Sequence, residues 1–145
     1  LYLQDKANMK VSWEDYNKRK KEDTIEHIYP QSPNDIYWKN RFGHLKPSEK
    51  RQYLNSLGNL LLLNRSKNSK LQNYDFDKKK CLLNKDGKEI GYYNGSYSEI
   101  EVSKHKEWTP DEIKKRGLLM LQFMEERWKF SFDNWNISKE DILFP

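Results

Sequence analysis

Apolar and polar positions alternate along this chain in short blocks whose period changes several times. Leu1, Leu3, Met9, Val11 and Trp13 fall at no clean spacing, so residues 1–22 read as a lead-in, the tail of a helix arriving from an upstream domain. Thr24-Ile25-Glu26 is a short β-branched run and predicts a strand. Gln31 to Asp35 is loop chemistry. Pro47-Ser48 ahead of Glu49 to Leu54 predicts a short capped helix ending near Gly58. Leu60 to Leu63 is continuously apolar and too short for a helix, which predicts a buried strand. Ser66 then fits the N-cap of a helix carrying Asn68. A helix is expected over Phe76–Leu83, a turn over Asn84–Gly87, and a loop over Gly91–Ser98. The clearest helix runs from Pro110 to about Lys129. Thr109 and Glu112 form a capping box, Pro110 takes the first helical position, and Ile113, Gly117, Met120, Leu121, Met124 and Trp128 share one face.

These elements predict an α+β domain over residues 23–130, with a C-terminal arm (131–145) whose Phe132 and Trp135 pack back on it. A chain of 145 residues is one domain's worth. Mean hydropathy is −1.13, so the core must lean on the five Trp, nine Tyr and six Phe. The net charge of +5 favours an anionic partner. One cysteine, Cys81, excludes an internal disulfide framework or zinc ribbon and reads as a small buried apolar residue. No signal peptide is visible and no apolar run can span a bilayer, so a cytoplasmic protein without membrane partners is expected. The first residue is not Met, which suggests a domain cut from a longer polypeptide.

Chemistry concentrates in two segments, Asp23-Thr24-Ile25-Glu26-His27-Ile28-Tyr29-Pro30-Gln31 and Leu57-Gly58-Asn59 through Asn68. Glu26 and Asn68 offer hard oxygen ligands suited to Mg²⁺ or Mn²⁺. His27 offers a base that titrates near neutrality. In a regular strand adjacent residues point to opposite sides, so a bend or bulge is needed to bring Glu26 and His27 into one site. Each residue also has a plainer reading. His27 can be a structural histidine bonded to Glu26, Asn68 a first-turn helix residue, and Asn64 is a rival to Asn68. Lys18, Arg19, Lys20 and Lys21, with Lys78 to Lys80, are the kind of runs that form solvated faces; flanking a metal, they would grip phosphates.

Together these motifs resemble the HNH (ββα-metal) nuclease family. Glu26-His27-Ile28-Tyr29-Pro30-Gln31 and the Asn59-to-Asn68 interval are similar to the HNH domain of the CRISPR RNA-guided nuclease. The closest likeness is to the C-terminal HNH-like domain of GmrSD-type modification-dependent restriction enzymes. It shares Glu-His-Ile-x-Pro, Leu-Gly-Asn-Leu, Ser-Lys-Asn and a late helix matched by Trp108, Ile113 and Arg116, and it covers roughly residues 20–130. The resemblance implies a small ββα-metal core inside a mainly helical domain. It implies His27 as general base, Asn59 as the residue that bridges the loop and holds the base, and Glu26 and Asn68 as ligands of one Mg²⁺ or Mn²⁺ ion. DNA would be gripped by Lys18, Arg19, Lys20, Lys21, Arg65, Lys67, Lys70, Lys78 and Lys79. The chain would then be a metal-dependent DNA endonuclease, the effector of a prokaryotic anti-phage restriction protein behind an upstream nucleotide-sensing domain. The alternative is a non-catalytic nucleic-acid-binding or protein-interaction module on the same scaffold. Two departures stand out: the His27–Asn59 interval is longer than in compact members, and Asn68 stands where founding members have His.

Overall fold

The computed structural model describes Glu14 and residues 23–145. The expected lead-in and its Lys18–Lys21 cluster lie outside the described residues. Strand β1 (Asp23–His27) pairs antiparallel with β2 (Leu60–Asn64) in a two-stranded sheet, from Asp23 opposite Asn64 to His27 opposite Leu60. Helices α1 (Ile36–Phe42) and α2 (Pro47–Asn55) fill the connection, which then passes through a 3-10 turn at Leu57–Asn59. Helix α3 (Arg65–Leu71) follows β2 directly and completes a ββα unit. Around it lie α4 (Phe76–Lys80), a 3-10 turn at Tyr92–Asn94, α5 (Tyr97–Ser103), the long α6 (Pro110–Trp128), a 3-10 turn at Phe132–Trp135 and α7 (Lys139–Leu143). The fold is α+β and mainly helical, as expected.

The leucine run is a strand, but it buries only one face. Leu61 and Leu63 are in the core and Leu62 is 61 % exposed, because a two-stranded sheet has a single covered side. Across the sheet Ile25 is exposed as well. The core is aromatic: Trp38, Phe42, Phe76, Tyr92 and Trp108 are fully buried beside Ile28 and Tyr29. The Tyr29 and Phe42 rings stack 3.9 Å apart, and Trp38 Nε1 donates to the Tyr74 carbonyl at 3.0 Å.

Helix α6 begins with the expected Thr109–Glu112 capping box and ends at Lys129 in the left-handed conformation. Its inner face is Ile113, Arg116, Gly117 and Leu121, whereas Trp128 is exposed. Gly58 lets the Leu57–Asn59 turn touch α6, since a Cβ there would lie 1.9 Å from the Ile113 carbonyl oxygen.

Several local expectations need correction. Asn64, not Ser66, caps α3, its side chain accepting from Ser66 N at 2.9 Å. Helix α4 stops at Lys80 and Cys81 is exposed. The segment Gly91–Ser98 is only partly loop: Tyr92–Asn94 forms a 3-10 turn, and a Ser96–Glu99 capping box starts α5 at Tyr97. Trp135 is exposed and stacks on Phe130. The arm is anchored instead by buried Leu143, whose methyls meet α6 at Gly117.

Candidate functional site

The site is built on the end of β1. The one-to-one pairing from Asp23 to His27 leaves no bulge, so the period of two places Glu26 and His27 on opposite faces. Glu26 faces inward beside Leu61 and is 4 % exposed, while His27 lies on the outer face opposite Leu60 and is half-buried. Burial lowers the His27 pKa below its ordinary 6.5. The Glu26 carboxylate raises it, the Lys79 ammonium lowers it further, and a side-chain bond to Asn55 raises it, with the net effect downward. At neutral pH the imidazole is uncharged and able to accept a proton.

On the inner face Glu26 is already engaged. Its Oε1 accepts from Lys79 Nζ at 2.6 Å and from the Tyr92 hydroxyl at 2.8 Å. Lys79 Nζ also donates to the backbone carbonyls of His27 at 3.0 Å and Ile28 at 3.2 Å. Burial drives the Lys79 pKa down and the Tyr92 pKa well up, the nearby carboxylate raising both. Lys79 was expected to meet phosphate. It cannot, because it is 0 % exposed. Lys80, expected on the same solvated face, is also buried and pairs with Asp77 at 2.9 Å. Only Lys78 of that run projects outward, beside Asp75 at 3.3 Å. The signal for this was the spacing: Lys79 and Lys80 stand three and four residues after Phe76, on the face that Phe76 buries.

Asn59 is fully buried and uses its whole amide. Its Oδ1 accepts from Tyr29 N at 2.8 Å and from Trp108 Nε1 at 3.2 Å. Its Nδ2 donates to the carbonyls of Tyr29 and Leu54, both at 3.0 Å. Its own carbonyl accepts from Ile28 N at 3.0 Å. The segment after His27 is therefore clamped to the Leu57–Asn59 turn. Arg116 grips the same turn from α6, donating to the Gly58 carbonyl at 2.7 Å and the Leu60 carbonyl at 3.0 Å. Trp108, Ile113 and Arg116, picked out in sequence as a late motif, thus all converge on this turn.

Asn68 ties α3 to β1, its Nδ2 donating to Thr24 Oγ1 at 2.9 Å and to the Ile25 carbonyl at 3.1 Å. Its Oδ1 accepts no hydrogen bond among the described residues. Asn64, the rival, is spent on the α3 cap. Along the outer side of α3 runs an open groove of about 280 Å³ lined by Asn64, Ser66, Lys67, Lys70, Lys88 and Asn94, among others. Lys70 and Lys88 are exposed, as is the neighbouring Arg65, whereas Lys67 is mostly buried against Glu99.

Comparison with known proteins adds one finding. The family model described as the C-terminal domain of GmrSD restriction endonucleases matches residues 1–123. The chain belongs to this family. No curated protein and no solved structure matches it.

The family's enzymes usually require a divalent metal, and the Glu26 side chain tests whether one fits here. It does not fit in this arrangement. One carboxylate oxygen, Oε1, already carries an ammonium and a phenol hydroxyl, and the Glu26 side chain is sealed from solvent with them. Among the described residues, no three His, Cys, Asp or Glu side chains come together as a metal site. Of the two residues that decide this, Lys79 is read in the sequence as a phosphate contact and not as the partner of Glu26, and Tyr92 sits in a stretch rich in Tyr, Gly and Ser that gives no sign of a site residue.

Proposed function

We propose that this chain is the DNA-cleaving effector domain of a prokaryotic restriction protein, with His27 as the general base that activates water against a phosphodiester. The family match over residues 1–123 carries the reading. The geometry is consistent with it. The imidazole is half-exposed, uncharged at pH 7 and mounted on a strand end held by the Asn59 clamp and by Lys79 on the His27 carbonyl. A base held in this way needs no reorganisation when it takes a proton from water. The groove beside α3 is the surface for flanking phosphates, with Lys70 and Lys88 in its lining and exposed Arg65 next to lining residues Asn64 and Ser66. Of the two residues expected to hold a divalent ion, Glu26 is occupied by Lys79, and the Asn68 side-chain oxygen accepts no hydrogen bond among the described residues.

The larger setting is part of the same proposal: a nucleotide-sensing domain upstream in the polypeptide, foreign or modified DNA as substrate, and a cytoplasmic location. No described helix is long and apolar enough to cross a membrane. One observation favours a second reading, a non-catalytic nucleic-acid-binding module: the ammonium on Glu26. Supercoiled-plasmid nicking with Mg²⁺ and with Mn²⁺, beside His27→Ala, separates the two. Cleavage lost in His27→Ala supports the nuclease. Salt-sensitive DNA binding with no cleavage by either protein supports the binding module, and neither activity supports a protein-interaction domain.

A further inference from the structure

Glu26 sits where the family pattern calls for a metal ligand, yet its partner is part of the chain. We infer that Lys79 is a resident cation, its ammonium holding the position on Glu26 that a divalent ion would need, and that Glu26 is not a metal ligand while Lys79 is in place. The inference concerns the strand end of the proposed nuclease site but does not depend on cleavage, since it is read from metal binding to the DNA-free protein.

The ammonium has three protons, and each has an acceptor: Glu26 Oε1 at 2.6 Å, the His27 carbonyl at 3.0 Å and the Ile28 carbonyl at 3.2 Å. This is an all-oxygen cage of the kind that suits a hard cation, occupied by –NH₃⁺. Tyr92 gives its hydroxyl proton to the same carboxylate oxygen, which fixes the carboxylate from a second side. The ammonium cannot step aside into water, because Lys79 is wholly buried on a helix whose preceding turn is pinned by buried Phe76. A divalent ion approaching Glu26 would meet a like charge at hydrogen-bond distance from its ligand. The same three bonds give Lys79 a positioning role, since two of them hold the peptide carbonyls of His27 and its neighbour.

The test is Mn²⁺ titration of the 145-residue protein by calorimetry and electron paramagnetic resonance, on wild type, Glu26→Gln, Lys79→Met and the double variant. Glu26→Gln keeps the size and shape of the side chain and one acceptor oxygen, and removes the charge and the second acceptor. Lys79→Met keeps the stem and removes only the charge and donors. Mn²⁺ affinity, strong or weak, should be unchanged within twofold in Glu26→Gln. Lys79→Met should bind Mn²⁺ at least tenfold more tightly than wild type, and the double variant should lose that gain. A tenfold loss in Glu26→Gln alone overturns the inference, because Glu26 would then be a ligand despite Lys79. A folded Lys79→Met with no gain also overturns it. If Lys79→Met does not fold, the Glu26→Gln comparison decides by itself.

Discussion

Asn59→Ala removes the buried amide that clamps the chain after His27, and its cost can be worked from the bonds it breaks. Four side-chain hydrogen bonds go: Tyr29 N, Trp108 Nε1, and the carbonyls of Tyr29 and Leu54 lose their partner. At a net 0.5–1.5 kcal/mol each this is roughly 2–6 kcal/mol. The upper half of the range applies, because Asn59 is fully buried and alanine leaves the orphaned groups away from water. A loss of about 4 kcal/mol is a large share of the roughly 5–15 kcal/mol that holds a domain together. It corresponds to a Tm decrease of about 8–16 °C for a chain of this size. Urea unfolding followed by tryptophan fluorescence reads it directly, with an unchanged m-value showing that the unfolding reaction is the same one. Asn59→Asp sharpens the test. It keeps the two acceptor contacts of Oδ1 but sets a carboxylate oxygen against two carbonyls, so its loss should equal or exceed that of alanine. If Asn59→Ala unfolds within about 1 kcal/mol of wild type while nicking is lost, the clamp is not what Asn59 contributes, and the stability argument fails.

His27→Ala should leave folding largely intact and lower nicking by about 10²–10⁴. In the wild type the lowered pKa of His27 puts the acid limb of the nicking rate below the ordinary histidine value of 6.5, and a limb at or above that value would refute the neutral-base assignment. The same shift carries a stability sign: the unfolded chain takes up a proton that the fold resists, so stability declines as pH falls below about 6.5. Gly58→Ala should destabilise by about 1–3 kcal/mol or more in thermal unfolding, because the new methyl meets the Ile113 carbonyl and Gly117 N, both backbone. Lys70→Gln with Lys88→Gln should flatten the slope of log K against log salt for DNA by about 1.8, from about 0.9 per phosphate contact, and an unchanged slope would move the phosphate path away from α3.

What was readable in the sequence follows from how local each signal is. The Thr109–Glu112 capping box and Pro110 marked the start of α6 because capping involves only neighbours in the chain. The paired strands were readable for the same reason, as was the problem of Glu26 and His27 facing apart, which needs only the period of two. The partner of Glu26 was not readable, since Lys79 lies far along the chain inside a lysine triplet that resembles a solvated face. Its helical phase with Phe76 was the one available clue. The capping box at Ser96 and Glu99 was equally local, but it stood behind a Tyr–Gly–Ser composition that suggested loop. Leu143 gave no sign of being the arm's anchor, because only the fold reveals the hollow at Gly117.

That hollow has a consequence for where this domain ends. The family likeness stops at residue 123, partway along α6. The packing does not. Leu143 fills the space over Gly117, Phe144 meets the Tyr53 ring, and Gln52 Nε2 donates to the Pro145 carbonyl at 2.6 Å. Lys114 pairs with Glu140 at 2.9 Å and Glu125 with Lys139 at 2.8 Å. Shared ancestry and cooperative unfolding therefore draw different borders. A fragment trimmed to the stretch that relatives have in common would sever a helix and uncover a glycine-lined notch next to the turn that Asn59 and Arg116 secure.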